Sequence, residues 1–274
     1  MSGTSTWSTA VALACAVACA GATAVQAAPP PAKVSLGIIF PEGYTVRDMT
    51  ARVAAVRRIA IRKRHVKPVL TAHAYAKAAA RVPAPRAFRH SMTRPSIEGF
   101  LFPSRYDFGP VTTAAELIAL QLAEFSREWG KVTLRAARAR GLDPYGVLIV
   151  ASMIERETVV PAERALVAAV VYNRLDADMP LGIDATLRYG LRVPATRPLT
   201  KANLASRSPY NTRRFKGLPP TPIGNPGLAS IQAAAHPANV DYLYYVRKPD
   251  KLHHFFTADA DEFCRKAREY GYGC

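Results

Sequence analysis

Cysteine is scarce in this chain: four among 274 residues. Cys15 and Cys19 fall near the N-terminus, which leaves Cys264 and Cys274 in the rest. No Cys-x-x-Cys pair and no histidine-rich spacing occurs, so no metal site is indicated and no cofactor is expected. Acidic residues are also few. Twenty Asp and Glu stand against 37 Lys and Arg, a formal net charge of +17. That excess favours polyanionic surroundings without choosing among nucleic acid, anionic lipid and acidic wall polymers. The Arg/Lys-rich stretch 57–95 has few interleaved aromatics, only Tyr75 and Phe88, which argues against specific nucleic-acid binding; a solvated basic face is the plainer reading. Internal repeats are absent.

Residues 8–28 form a small, apolar, alanine-rich segment ending Ala24-Val-Gln-Ala-Ala28 before three prolines. It reads as a signal-peptide core with cleavage after Ala27 or Ala28, although the first charge of the chain is only Lys33. The alternative is an uncleaved anchor, for which the alanine content makes a poor span. Ala12-Leu-Ala-Cys15 is a weak lipid-attachment match. Export would favour a disulfide between Cys264 and Cys274; two free thiols would go with the cytosol.

The richest segment is apolar and carries carboxylates. Asp143 suits a helix N-cap and Pro144 the first helical position. Val147 to Ile154 is too apolar for a surface helix and too short to cross a bilayer. At about 100° per residue, Glu157 lies on the side of Val150, Met153 and Ile154, whereas Glu155 faces the weaker edge near Ala151 and Ser152. Glu157 is therefore the carboxyl expected to be desolvated and to have a raised pKa, as glycosidic bond cleavage requires. The alternative is a helix-end glutamate paired with Arg156, Arg164 or Arg174.

Elsewhere, residues 34–40 have strand character before a Pro41-Glu-Gly43 turn, and Thr45 can cap a helix. Residues 57–95 read as one or two helices in a basic, proline-containing segment, and 96–103 as a compact apolar turn. A single long helix is expected over 112–140, with Leu117, Ile118, Leu120, Leu122, Phe125 and Trp129 inward. A helix over 161–175, a Pro/Gly/Asn-rich loop over 206–227, a helix over 229–235 and paired strands at 241–246 and 254–257 complete the expectation.

These blocks together resemble the YceG-like endolytic murein transglycosylases, the MltG type. The resemblance rests on Phe40-Pro-Glu-Gly-Tyr-Thr45, Glu98-Gly-Phe-Leu-Phe-Pro103, Ala151-Ser-Met-Ile-Glu-Arg-Glu-Thr158, Tyr172-Asn-Arg-Leu175, Asp184 with Thr186, Ser208-Pro-Tyr-Asn-Thr212, Gly217-Leu-Pro-Pro220, Asn225-Pro-Gly227 and His254 with Phe256. It implies an α+β fold, with a small LysM-like α/β subdomain followed by a mixed α/β catalytic domain. The boundaries expected are 1–28 for the signal peptide or anchor, 34–95 for a shortened LysM-like basic region and 96–274 for the catalytic domain. It implies cleavage between N-acetylmuramic acid and N-acetylglucosamine to leave 1,6-anhydromuramic ends, with Glu157 as the single acid/base. Implied partners are peptidoglycan glycan strands, peptidoglycan synthases at the membrane and an anionic wall or membrane surface, in an exported protein of the cell envelope. Ser104-Arg105, Gly182-Ile183 and Phe263 depart from the family pattern.

Substrate contacts are expected from Asn173, Arg174, Asp184, Thr186, Tyr210, Asn211 and Glu98. Each has a structural alternative: helix-end capping and ion pairing for Asn173 and Arg174, capping of the next helix for Asp184 and Thr186, and turn fixing for Tyr210, Asn211 and Glu98. His236 and His254 are expected to be structural. The rival functions are a muramidase-type hydrolase and a catalytically weak peptidoglycan-binding protein.

Overall fold

A computed structural model describes residues 35–274, which form an α+β fold; the segment read as a signal core or anchor, with Cys15 and Cys19, lies outside the described residues. Among the described residues no helix is long and apolar enough to cross a membrane. Residues Val34–Cys274 cluster as one compact unit.

The first part is a strand–helix–helix–strand unit. Strand β1 (Leu36–Ile39) buries Leu36 and Ile38 and exposes the alternate residues, as a half-covered strand must. It pairs antiparallel with β2 (Arg105–Phe108), Leu36 opposite Phe108 and Ile39 opposite Arg105. The sequence reading had not assigned β2. Helix α1 (Val46–Arg64) starts at a capping box in which Thr45 and Asp48 satisfy each other's backbone N–H groups. Helix α2 (Ala72–Arg81) is capped by Thr71, and a short 3-10 turn covers Arg86–Ser91.

The long helix expected over 112–140 is broken. Helix α3 (Ala114–Trp129) ends at Gly130, and α4 (Arg135–Ala139) is separate. The intervening Gly130-Lys-Val-Thr133 has poor helix propensity, and apolar periodicity alone could not report the break. Leu120, expected inward, is 47% exposed, while Gln121 is buried because Tyr75 Oη donates to its Oε1 at 2.6 Å. Phe88, Phe100, Phe125, Trp129 and Tyr145 pack as one aromatic cluster.

Helix α5 (Pro144–Glu157) is the spine of the molecule. Asp143 caps it, accepting from Gly146 N–H at 2.7 Å, and every residue from Tyr145 to Ile154 is buried. Each buried Val, Leu, Ile or Met there is worth about 1.5–3 kcal/mol relative to exposure. Around α5 pack α6 (Arg164–Asp176), preceded by a 3-10 turn at Pro161–Glu163, α7 (Asp184–Leu191) and α9 (Leu228–Ala235). A four-residue α8 (Lys201–Leu204) precedes the long loop. The chain closes with the hairpin β3 (Tyr244–Arg247) and β4 (His254–Thr257), then α10 (Ala260–Glu269), also unassigned from sequence. Cys264 in α10 is disulfide-bonded to Cys274, with Cα atoms 5.3 Å apart.

Candidate active site

Three sequence blocks interlock behind the end of α5. Gly43 N–H donates to Asn225 O at 2.8 Å and Asn225 N–H to Tyr44 O at 2.9 Å. The Asn225 side chain donates to Tyr44 O and Glu98 Oε1 and accepts from Leu101 N–H. Gly43 has φ +75, and a Cβ on Gly224 would stand 2.6 Å from Gly43 O, so this crossing needs glycine on both sides. Glu155 belongs to this frame: its Oε2 accepts from the N–H of Gly227, the N-cap residue of α9, at 2.9 Å.

Glu157 has different partners. It is the last residue of α5, with Thr158 as C-cap. The β3–β4 register sets Arg247 opposite His254 and Tyr245 opposite Phe256, so these four share one face of the hairpin. Tyr245 Oη donates to Glu157 Oε2 at 3.0 Å, and Arg247 Nη2 donates to the Glu157 backbone oxygen at 3.2 Å. Among the described residues no protein donor reaches Oε1. Glu155, Arg156, Glu157, Arg247, Lys251 and Leu252 border a cavity of about 220 Å³.

Burial raises the Glu157 pKa; the Tyr245 hydrogen bond and the charges of Arg247 and His254 oppose the rise, and nearby Asp184 adds to it. The partial negative charge at a helix C-terminus acts in the same direction as burial. His254 is itself fixed: its N–H and Nδ1 lie 2.8 and 2.7 Å from the Glu163 carboxylate, which also accepts from Thr158 Oγ1. Burial would raise the Glu163 pKa, but the His254 hydrogen bonds prevail and hold it low.

The other expected site residues divide. Asn173 Nδ2 donates to Val240 O and Tyr242 O at 2.9 and 2.8 Å. Arg174 donates to Leu243, Pro180 and Leu181 carbonyls and lies over the Tyr244 ring at 5.2 Å. Both tie the chain entering β3 onto α6, and thereby set the height at which Tyr245 meets Glu157. Thr186 is buried, bonded to Ile183 O and Thr212 Oγ1. Asn211 is buried and gives its amide to Leu204 O and Ser206 O. Asp184 opens α7 and pairs with Arg213 at 2.6 Å. Tyr210 Oη meets Thr221 Oγ1 at 2.8 Å.

Tyr210 and Glu98 line a second, larger cavity of about 1270 Å³, bordered by α1, α2 and α7. Arg156 borders both cavities. Glu98 is 5% exposed and accepts from Val46 N–H, Asn225 Nδ2 and Tyr189 Oη. Burial pushes its pKa up to about 8, against those hydrogen bonds. Tyr245 and Arg247 were not singled out from sequence. Their alternation in the Tyr-rich strand was legible, but which face met α5 was not.

The closing match is with known proteins. The chain is 37% identical over 152 residues to an endolytic murein transglycosylase of Bacillus subtilis, covering 56% of this chain and 42% of that protein. It is 26% identical over 251 residues to one of Streptococcus pneumoniae, covering 85% and 44%. The chain thus spans less than half the length of these curated relatives. A crystal structure of a putative YceG-like protein from Listeria monocytogenes superposes with a TM-score of 0.65 at 28% identity, covering 83% of this chain and 74% of that one. The family model described as YceG-like matches residues 18–269, so the chain belongs to the YceG-like family.

Proposed function

We propose that this chain is an endolytic peptidoglycan transglycosylase with Glu157 as its single acid/base, working outside the cytoplasm on the wall. The observation that supports this most is the Glu157 carboxyl: partly desolvated, with raised pKa, one oxygen held by Tyr245 and the other without a donor among the described residues, in a residue that borders a cavity. Two sequence relatives carry the name endolytic murein transglycosylase.

The free oxygen would carry the proton. Glu157 donates it to the glycosidic oxygen as the bond to the muramic C1 breaks and positive charge builds at that carbon. The carboxylate left behind, stabilised by Tyr245 Oη, then takes the proton of the muramic C6 hydroxyl. That oxygen closes on C1 to give the 1,6-anhydro ring, and Glu157 is protonated again. No water and no second carboxylate nucleophile is consumed, unlike the two-carboxylate scheme of most glycosidases.

Purified protein acting on sacculi, followed by mass spectrometry of released fragments, tests the reading. Anhydro ends are expected. Reducing ends would make it a hydrolase, and no release from any glycan would make it a binding protein.

A further inference from the structure

The larger cavity is more cationic than a neutral sugar chain requires. Arg47, Arg89, Arg156, Arg188 and Arg192 border it. Among the described residues none of the five is paired with a carboxylate. Three are braced on backbone carbonyls, which orient a guanidinium without neutralising it: Arg188 on Pro194 and Arg197 at 3.0 and 2.7 Å, Arg89 on Ala84 at 2.6 Å, and Arg156 on Gly43 at 3.4 Å. The two acids on its wall are spent locally. Asp48 accepts from Thr45 N–H and Oγ1 to cap α1, and Glu98 is buried under Val46, Asn225 and Tyr189.

Arg156 borders both this cavity and the one at Glu157, so the two spaces lie next to each other. The sugars of a peptidoglycan strand are uncharged where their lactyl acids are amidated; the strand's negative charge sits on the carboxylates of its peptides. Arginine matches carboxylate bidentately, and a cleft lined by one sign of charge concentrates the opposite sign.

We propose that the cavity between α1, α2 and α7 binds the acidic peptide side chains of the strand, so that the chain prefers peptide-bearing glycan to bare glycan. This rests on the peptidoglycan reading above. The variant to use is Arg47→Gln with Arg192→Gln, two arginines whose side chains no hydrogen bond ties to the protein among the described residues. Cleavage is followed on peptide-bearing strands and on the same strands stripped by an amidase. Wild type should show a lower KM for peptide-bearing strands, and the double variant should raise that KM roughly three- to tenfold at similar kcat, as two partly exposed ion pairs would.

Equal KM for both strands in wild type, or an equal loss on both in the variant, overturns the proposal while leaving the transglycosylase reading intact. If neither strand is cleaved, that reading falls, and binding of an isolated acidic tetrapeptide from the strand to the full chain decides this one. Salt-sensitive binding weakened in the double variant upholds it, and no binding overturns it. If the double variant loses affinity only for vesicles containing anionic lipid, the arginines face a membrane and the proposal is wrong.

Discussion

Glu98 is buried and Glu157 half-buried, and in both burial raises the carboxyl pKa. They differ in what surrounds the oxygens. Glu98 accepts from three donors that join the start of α1, the Asn225 turn and α7, and nothing is left over. Among the described residues the Glu157 carboxyl accepts from Tyr245 alone, and the residue borders a cavity. Desolvation makes a protonated carboxyl available near neutral pH, but only an unfilled oxygen can pass that proton to another molecule. Glu98 is therefore a joint between segments, and Glu157 the candidate acid.

The largest effect expected follows directly. Glu157→Gln keeps the shape and the Tyr245 contact but cannot shuttle a proton, so strand cleavage should drop about 10²- to 10⁴-fold at unchanged thermal stability. Equal loss from Glu98→Gln in a folded protein would erase the distinction between the two carboxyls.

Glu98→Gln should act on stability instead. It sets an amide N–H₂ against groups that are themselves donors, at a cost of about 1–3 kcal/mol. It should also change the pH dependence. In the folded protein Glu98 holds its proton up to about 8 against an ordinary 4.5, so between these values the folded state binds more protons than the unfolded one. Stability from this group is then present at low pH and lost as pH rises through that window, by up to ~1.4 kcal/mol per pH unit. Denaturant titrations from pH 5 to 8 should show wild type losing more stability than Glu98→Gln; parallel curves would mean that Glu98 is ionised throughout.

The distinction was half legible in the sequence. Helical phase alone placed Glu157 on the buried side of α5 and Glu155 off it, because a 14-residue helix capped by Asp143 and opened by Pro144 leaves little freedom of register. The start of α1 was equally legible from Thr45. Long-range partners were not. That Glu98 closes on Val46 and Asn225, across 52 and 127 residues, leaves no local periodic trace. Asn173 and Arg174 were picked out as candidate contacts, yet their hydrogen bonds run to the backbone leading into β3, a fact that only the tertiary placement of the hairpin reveals. The α3–α4 break at Gly130 was missed because apolar spacing continues through it.

Tyr245 offers a sharper cut. Its hydroxyl favours the Glu157 carboxylate, so Tyr245→Phe should let burial act unopposed and raise the Glu157 pKa further. The activity requires the protonated form first, so the alkaline limb of the rate profile should move to higher pH, by about one unit for a hydrogen bond worth ~1.4 kcal/mol. The maximal rate should fall by roughly tenfold at most, because the carboxylate that must accept the second proton is less well held. An unmoved limb would detach Tyr245 from the acid.

The smallest effect is expected two residues away. Glu155 has the same side chain on the same helix turn, but its Oε2 takes the Gly227 N–H at the start of α9. In Glu155→Gln the amide oxygen can still accept that hydrogen bond, so only the charge at the α9 N-terminus is lost, worth about 0.3–1 kcal/mol. A melting shift of a few degrees at most and cleavage within about threefold of wild type should result. Cleavage assays at matched folded fraction make the comparison. If Glu155→Gln instead falls as far as Glu157→Gln, the proton is not carried by Glu157, and Glu155, which borders the same cavity, would have to be the acid.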